Sequence, residues 1–187
     1  RAWEDIAEVN IGGTQLLLAA AHQSGAHRVV LASSTHAVGF WPTDTPAEQI
    51  TPRPDTFYGV SKLAMEALGS VYADRFGMTV VAARIGTIES RPSGIRSLST
   101  WLSFDDFVRL IEATAITADA GFHLVWAISA NTRRWFPLEP GFAIGYHPKD
   151  DAESFVAEIG AAQWQNGGNG LIGGAFADGD HPLGGQW

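Results

Sequence analysis

Residues 79–86 read TVVAARIG, and their lack of alternation decides the architecture. A strand with one wet face alternates apolar and polar side chains. An unbroken run of β-branched and small apolar residues is apolar on both sides of the pleat and needs cover on both. The same pattern recurs at HRVVLASS (27–34) and FHLVWAIS (122–129). Between the first two runs the spacing is helical from about Phe57 to Phe76, with Gly77 placed to end it. Gly25 ends an earlier helical pattern in the same way, and Ser103 with Asp106 makes a capping-box start for SFDDFVRLIEATA. Strands apolar on both faces and separated by helices imply an α/β fold with a parallel sheet. Ligands of such sheets gather at the loops after the strand C-termini. Here those are Ser33 to His36, Gly86 to Thr87, and Ser129 to Asn131.

Toward the N-terminus, RAWEDIAEVNIGGTQLLLAAA carries Trp3, Ile6, Val9, Leu16 and Leu17 at positions that can share one buried helix side. The chain starts inside that pattern and without Met, so a fragment is expected. Residues 35–56 hold Pro42, Pro46, Pro52 and Pro54 and read as a long loop, and residues 87–100 read as a second, polar one. From about residue 163 Gly and Asn dominate, a tail expected to drape over a larger body. No internal repeat or linker divides residues 1–187, so a single domain is expected.

The totals narrow the function. With 45% hydrophobic and 11% aromatic residues, 187 residues suffice for a real core. No run approaches the roughly 18 apolar residues of a membrane span, and no charged-then-apolar leader opens the chain. A soluble, cytoplasmic protein with no membrane partner is expected. The net charge of −8 and ten scattered Arg argue against nucleic acid as a partner. The absence of cysteine excludes disulfides, thiolate nucleophiles and Cys-type zinc sites within this chain.

Several motifs reduce to bland readings. GNGLIG (168–173) satisfies G-x-G-x-x-G but has no strand before it and no helix after it, so it is a decoy. The six histidines show no metal-ligand spacing, so no metal is expected, and no G-x-S-x-G elbow is present. FYGVSK (57–62) is different. The chain has two Lys and three Tyr, yet Lys62 follows Tyr58 by four residues. On a helix that spacing stacks an ammonium beside a phenol, which is useful where the phenol must lose a proton. The long loop after SST lets Ser34 approach that phenol, His36 lies two residues farther on, and Asn10 sits in the preceding helix within VNIGGT.

Together, LASSTHAVGF, PRPDTFYGVSK and RIGTIE resemble the extended short-chain dehydrogenase/reductase family and its Ser, Tyr-x-x-x-Lys constellation. More narrowly, SLSTWLSFDDFVRLIEA, WAISANTRRW and GYHPKDDAESF are similar to the NAD-dependent uronate dehydrogenases. The likeness runs from VNIGGT to the GGAF near the end. YxxxK marks only the superfamily; SS(T)H, RIG(T) and R-x-L-S-T-W are narrower.

The resemblance implies a Rossmann-like, doubly wound sheet that lacks its N-terminal strands in this chain. It also implies NAD as cofactor and a small-molecule uronic acid as substrate, with a homo-oligomer allowed. Tyr58 becomes the general base, with Lys62 supplying the cation that favours the phenolate and a bond to the nicotinamide ribose. Ser34 orients the reacting oxygen. Ile85 and Asn10 join Tyr58 and Lys62 at the cofactor, while Thr35, His36, Thr87 and Arg96 contact substrate. Arg96, an ordinary loop arginine by itself, becomes the fork that grips the carboxylate. Thr35 stands where the family has Asn, Thr87 where it has Ser, and RRWFPLEPG departs from the Trp-Trp-Asp-Asn-like run. The implied reaction is oxidation of D-galacturonate or D-glucuronate at C1 to the aldarolactone. The Gly-rich turn and the acidic selector for NAD are expected upstream of Arg1. The alternatives are a nucleotide-sugar epimerase or dehydratase of the same family and a non-catalytic dinucleotide sensor.

Overall fold

The structure, a computed structural model, describes residues 2–159 and 169–183. In chain order the elements are α1 (Trp3–Ile6), a π-helical stretch (Ala7–Gly12), α2 (Gly13–Gln23), β1 (Arg28–Ser34), α3 (Phe57–Phe76) and β2 (Thr79–Ile85). They continue with β3 (Thr87–Ile88), α4 (Ser97–Thr100), β4 (Trp101–Leu102), α5 (Phe104–Ile116), β5 (Gly121–Ala127) and α6 (Glu139–Ala143).

The three apolar runs form one parallel sheet in the order β1-β2-β5. Its register pairs Ser34 with Ile85 and Ile85 with Ala127, so the three strands end level along one edge. Alternate residues of β2 serve opposite faces. Val80 packs with Leu31, Leu18 of α2, and Met65 and Ala73 of α3. Val81 and Ala83 pack with Val125, Leu110 and Ala113 of α5, and Tyr146. Each fully buried aliphatic side chain stabilises by about 1.5–3 kcal/mol, so the two layers hold the strand ends at a fixed height. The sheet is therefore covered on both sides, as the unbroken apolar runs require.

Helix α3 is the most legible element. Thr56 caps it by accepting a hydrogen bond from the Gly59 amide at 3.2 Å, and Gly77 closes it. Ser103 caps α5 by accepting from the Asp106 amide at 2.9 Å, but the reciprocal half of the capping box is missing. The Asp106 carboxylate instead receives the Lys149 and Asp150 amides at 2.8 and 3.0 Å.

Two expectations are corrected. On the N-terminal helical stretch the buried residues are Ile6, Thr14 and Leu18, while Trp3, Val9, Leu16 and Leu17 are exposed. For Val9, Leu16 and Leu17 the π-helical turn at Ala7–Gly12 accounts for this, whereas Trp3 precedes that turn and packs edge-on against Phe57. A wider turn takes up extra residues and rotates everything after it away from the 3.6-residue template. Residues 87–100 are also more ordered than a polar loop. They contain β3, which pairs in parallel with β4, and lead into α4. Strands of two residues are too short to show a period.

The C-terminal stretch returns to the sheet edge. Pro42 bridges antiparallel to Leu171, the Ile172 amide donates to the Trp41 carbonyl at 2.8 Å, and the Gly173 amide donates to Gly39 at 2.8 Å. Ile172 is buried with Val38, Trp126, Ile128 and Phe136. The first part of the expected Gly-rich tail, residues 163–168, lies outside the described residues, as does Gly168 of GNGLIG. The remainder of that motif forms a turn against the 35–56 loop and leads into a 3-10 turn at Gly174–Ala177.

Candidate active site

Helix α3 begins at the sheet edge, and its first two turns bring Tyr58 and Lys62 to the end of β1. Lys62 is buried, and its Nζ donates to the Ala32 carbonyl at 2.8 Å while lying 5.0 Å from the centroid of the Tyr58 ring. Ser34, the last residue of β1, hydrogen-bonds the Tyr58 hydroxyl, and its Oγ accepts from the His36 amide at 3.2 Å. The close approach of α3 to the turn after β1 needs a residue without a side chain. A Cβ on Gly59 would lie 2.3 Å from the His36 carbonyl oxygen.

The π-helical turn delivers Asn10. Its Nδ2 donates to Ser61 Oγ at 2.9 Å, and Ser61 Oγ donates to the Tyr58 carbonyl at 2.7 Å. Thr14 Oγ1 bonds the Asn10 carbonyl within the widened helix. Asn10 therefore ties the N-terminal helix to the turn of α3 that carries Tyr58.

These groups line a cleft of about 480 Å³ that includes Asn10, Ser34, His36, Tyr58, Lys62 and Ile85. Thr35, Thr87 and Arg96 do not line it. They form a contiguous cluster behind the same strand ends, in which Arg96 Nη1 reaches Thr87 Oγ1 at 3.2 Å and Nη2 reaches Thr35 Oγ1 at 3.4 Å. Nε and Nη2 both donate to the Ile172 carbonyl, at 3.1 and 2.8 Å. Trp135, from the divergent RRWFPLEPG run, lies with its ring 6.0 Å from the guanidinium. Among the described residues no carboxylate forms an ion pair with Arg96.

The electrostatics correct one expectation. The Lys62 charge was expected to pull the phenol down, yet burial pushes Tyr58 above its ordinary value, with the Ser34 hydrogen bond acting in the opposite direction. Burial also lowers Lys62. The ammonium lies over the ring and is engaged by a backbone carbonyl, and desolvation is the leading influence on both groups. Arg96 is lowered by burial as well, while the charge of Asp55 raises it. An arginine remains cationic despite such a shift.

Sequence reasoning missed three contributors. Asp55, wholly buried, places Oδ2 2.7 Å from His36 Nδ1 in a hydrogen bond. Phe176 packs on the His36 ring with centroids 4.5 Å apart, which makes the C-terminal stretch a wall of the site. Beneath the cleft, Glu66 takes Arg84 bidentately at 2.8 and 2.9 Å and also accepts from Ser33 Oγ. Glu66 was findable in principle, since it follows Lys62 by four residues on the same helix face.

A cleft with a phenol, an ammonium and a hydroxyl at the carboxyl edge of a parallel sheet suits proton transfer beside a bound dinucleotide. Comparisons with known proteins agree. The NAD dependent epimerase/dehydratase family matches residues 2–115. The uronate dehydrogenase of Agrobacterium fabrum is 41% identical over 160 residues, 85% of this chain and 60% of that protein. That of Pseudomonas syringae pv. tomato is 39% identical over 162 residues, 86% of this chain and 59% of that protein. The chain thus spans about six tenths of the length of these relatives. The crystal structure of uronate dehydrogenase from Agrobacterium tumefaciens superposes with a TM-score of 0.89 at 37% identity, covering 98% of this chain and 70% of that one. Sheet order, site constellation and these matches lead to one statement: the chain belongs to the NAD dependent epimerase/dehydratase family.

Proposed function

We propose that the protein oxidises a hexuronate, D-galacturonate or D-glucuronate, at C1 with NAD, giving the aldarolactone. The observation that carries this reading is Arg96. Its guanidinium is half-buried, held by the hydroxyls of Thr35, Thr87 and Thr100, a backbone carbonyl and an aromatic face, and forms no ion pair with a carboxylate among the described residues. A desolvated cation poised in a fixed fork favours a ligand that brings its own carboxylate. The relatives named as uronate dehydrogenases support the same choice.

The cleft residues fit the nicotinamide-ribose end of NAD. Lys62 offers an ammonium, Tyr58 and Asn10 offer polar groups, and Ile6, Val9 and Ile85 offer apolar wall. When bound, NAD supplies the acceptor for the hydride that leaves C1. The chain's own residues do the rest. Tyr58 removes the C1 hydroxyl proton, Ser34 hydrogen-bonds the reacting oxygen, and Arg96 with Thr35 and Thr87 fixes the sugar through its carboxylate. Because burial raises Tyr58, turnover should climb with pH through the neutral and mildly alkaline range.

The test is NADH formation by the full-length protein, including the segment expected upstream of Arg1, with galacturonate, with a nucleotide sugar, and with no substrate. Release of NADH with the uronate alone supports the proposal. Turnover of only the nucleotide sugar points to the epimerase or dehydratase alternative, and NAD binding without turnover of either points to a sensor. Tyr58→Phe should keep the fold by circular dichroism and abolish turnover, and near-normal activity would remove Tyr58 from the role of base.

A further inference from the structure

The site contains a buried carboxylate that the proposed reaction does not use directly. Asp55 closes the 35–56 loop just before α3, and its side chain has no exposure to solvent. One oxygen, Oδ1, accepts from Thr56 Oγ1 at 3.0 Å, and the other, Oδ2, faces His36 Nδ1 at 2.7 Å. The backbone closes tightly around Oδ2, since a Cβ on Gly39 would lie 1.7 Å away and one on Gly173 2.1 Å away. The cradle is thus made from the loop after β1 and from the returning C-terminal stretch, whose amide and carbonyl bond each other at 2.8 Å. The His36 ring is held from other sides by Phe176, with centroids 4.5 Å apart, and edge-on by Tyr58 at 6.0 Å.

We propose that Asp55 is a positioning residue: its carboxylate keeps the proton on Nδ1 of His36, so that the neutral ring offers the substrate an acceptor at Nε2 and selects a sugar hydroxyl there. An ionised carboxylate can only accept, so Nδ1 must be the protonated nitrogen, and a neutral imidazole then has its lone pair on Nε2. Without Asp55 the ring is free to take the other tautomer and present a donor instead. The inference deepens the proposed uronate reaction and rests on it for the identity of the ligand, but the tautomer itself does not depend on turnover.

Two measurements on the full chain test it. Long-range ¹⁵N–¹H spectra of histidine-labelled protein at neutral pH should show His36 protonated at Nδ1 alone, and Asp55→Asn or Asp55→Ala should move the proton to Nε2 in part or whole. A ring already protonated at Nε2 in the parent, or on both nitrogens, overturns the proposal whether or not the protein turns over uronates. In steady-state assays Asp55→Asn should lower kcat/KM about tenfold or more. In a His36→Ala background the same change should cost nothing further, because the two residues act as one unit. The nearby Arg96 does not blur that result, since losing the Asp55 charge favours an anion beside Arg96 and cannot mimic a loss. Losses that multiply would make Asp55 a structural residue and overturn its role. Near-ultraviolet circular dichroism on Asp55→Asn separates misfolding from a site effect. Failure of every uronate to react, with the Nδ1 tautomer intact, would count against the reaction and leave the positioning by Asp55 standing.

Discussion

Arg84 and Arg96 are both desolvated guanidinium groups beside a tryptophan, and they differ in what neutralises them. Arg84, on β2, is 3% exposed, lies 5.2 Å from the Trp126 ring, and is gripped bidentately by Glu66 of α3. Arg96, before α4, lies 6.0 Å from the Trp135 ring and has as direct partners only hydroxyls and the Ile172 carbonyl, with the charge of Asp55 acting from beyond ion-pair distance. A buried cation with a protein carboxylate is part of the scaffold. A buried cation without one stores a demand that a ligand can meet. The pair teaches that partner chemistry, more than burial or aromatic stacking, separates a structural arginine from a binding one.

The largest expected effect breaks the matched side. Glu66→Ala leaves Arg84 buried and unpaired and orphans Ser33 Oγ, so unfolding free energy should fall by about 3–5 kcal/mol in urea titrations. Replacing both partners, Arg84→Met with Glu66→Leu, should recover most of that loss, because an apolar pair carries no desolvation penalty. A single variant within about 1 kcal/mol of the parent would show that Arg84 is not held as the structure has it.

On the unmatched side the loss should appear in substrate handling and leave stability nearly untouched. Arg96→Ala should weaken uronate recognition by about 2–4 kcal/mol, a rise in KM of roughly 30- to 1000-fold. Arg96→Lys should recover little of it, since a point charge cannot form the two parallel bonds of a guanidinium fork. An unchanged KM would move the carboxylate to another group. A large loss of stability would place Arg96 with Arg84 and dissolve the comparison.

The sheet was legible because its strands are apolar on both faces and its two long helices carry caps, Thr56 and Ser103, that act locally. Tyr58, Lys62 and Ser34 were legible because i,i+4 spacing and strand-end position are local facts too, whereas Asn10 was noted only for its place in the preceding helix and owed its role to the family resemblance. What escaped was non-local. Asp55 meets His36 across 19 residues, Arg96 meets the Ile172 carbonyl across 76, and Phe176 reaches His36 from the far end of the chain. No periodicity encodes such contacts. The π-helical turn escaped for a different reason, since it breaks the very period by which helices are read. Its consequence is the mistaken assignment of Val9, Leu16 and Leu17 to a buried side. The expected depression of Tyr58 by Lys62 failed because spacing places charges but does not report how much water they lose.

The smallest prediction carries the comparison from arginines to tyrosines. Tyr146 is the core counterpart of Tyr58: fully buried, with its hydroxyl donating to the Ile128 carbonyl at 2.8 Å. Burial pushes it far above its ordinary value; the charge of Asp106 adds to the shift, that of Arg109 opposes it, and that of Asp150 adds again. A group raised in the folded state contributes stability that is fully present below its unfolded value of about 10 and is lost as pH rises beyond it. Tyr146→Phe removes that dependence and leaves the Ile128 carbonyl without this donor. The variant should therefore be less stable by about 1 kcal/mol at neutral pH. Above about pH 10 the gap should narrow, because the parent pays to keep a phenol protonated and the variant does not. Urea unfolding at pH 7 and again above pH 10 reads both values, and Tyr58, present in both proteins with a shift of the same sign, cancels in the difference. A gap that stays constant with pH would mean that the Tyr146 hydroxyl ionises in the folded protein, and that the core phenol is no better sheltered than the one in the cleft.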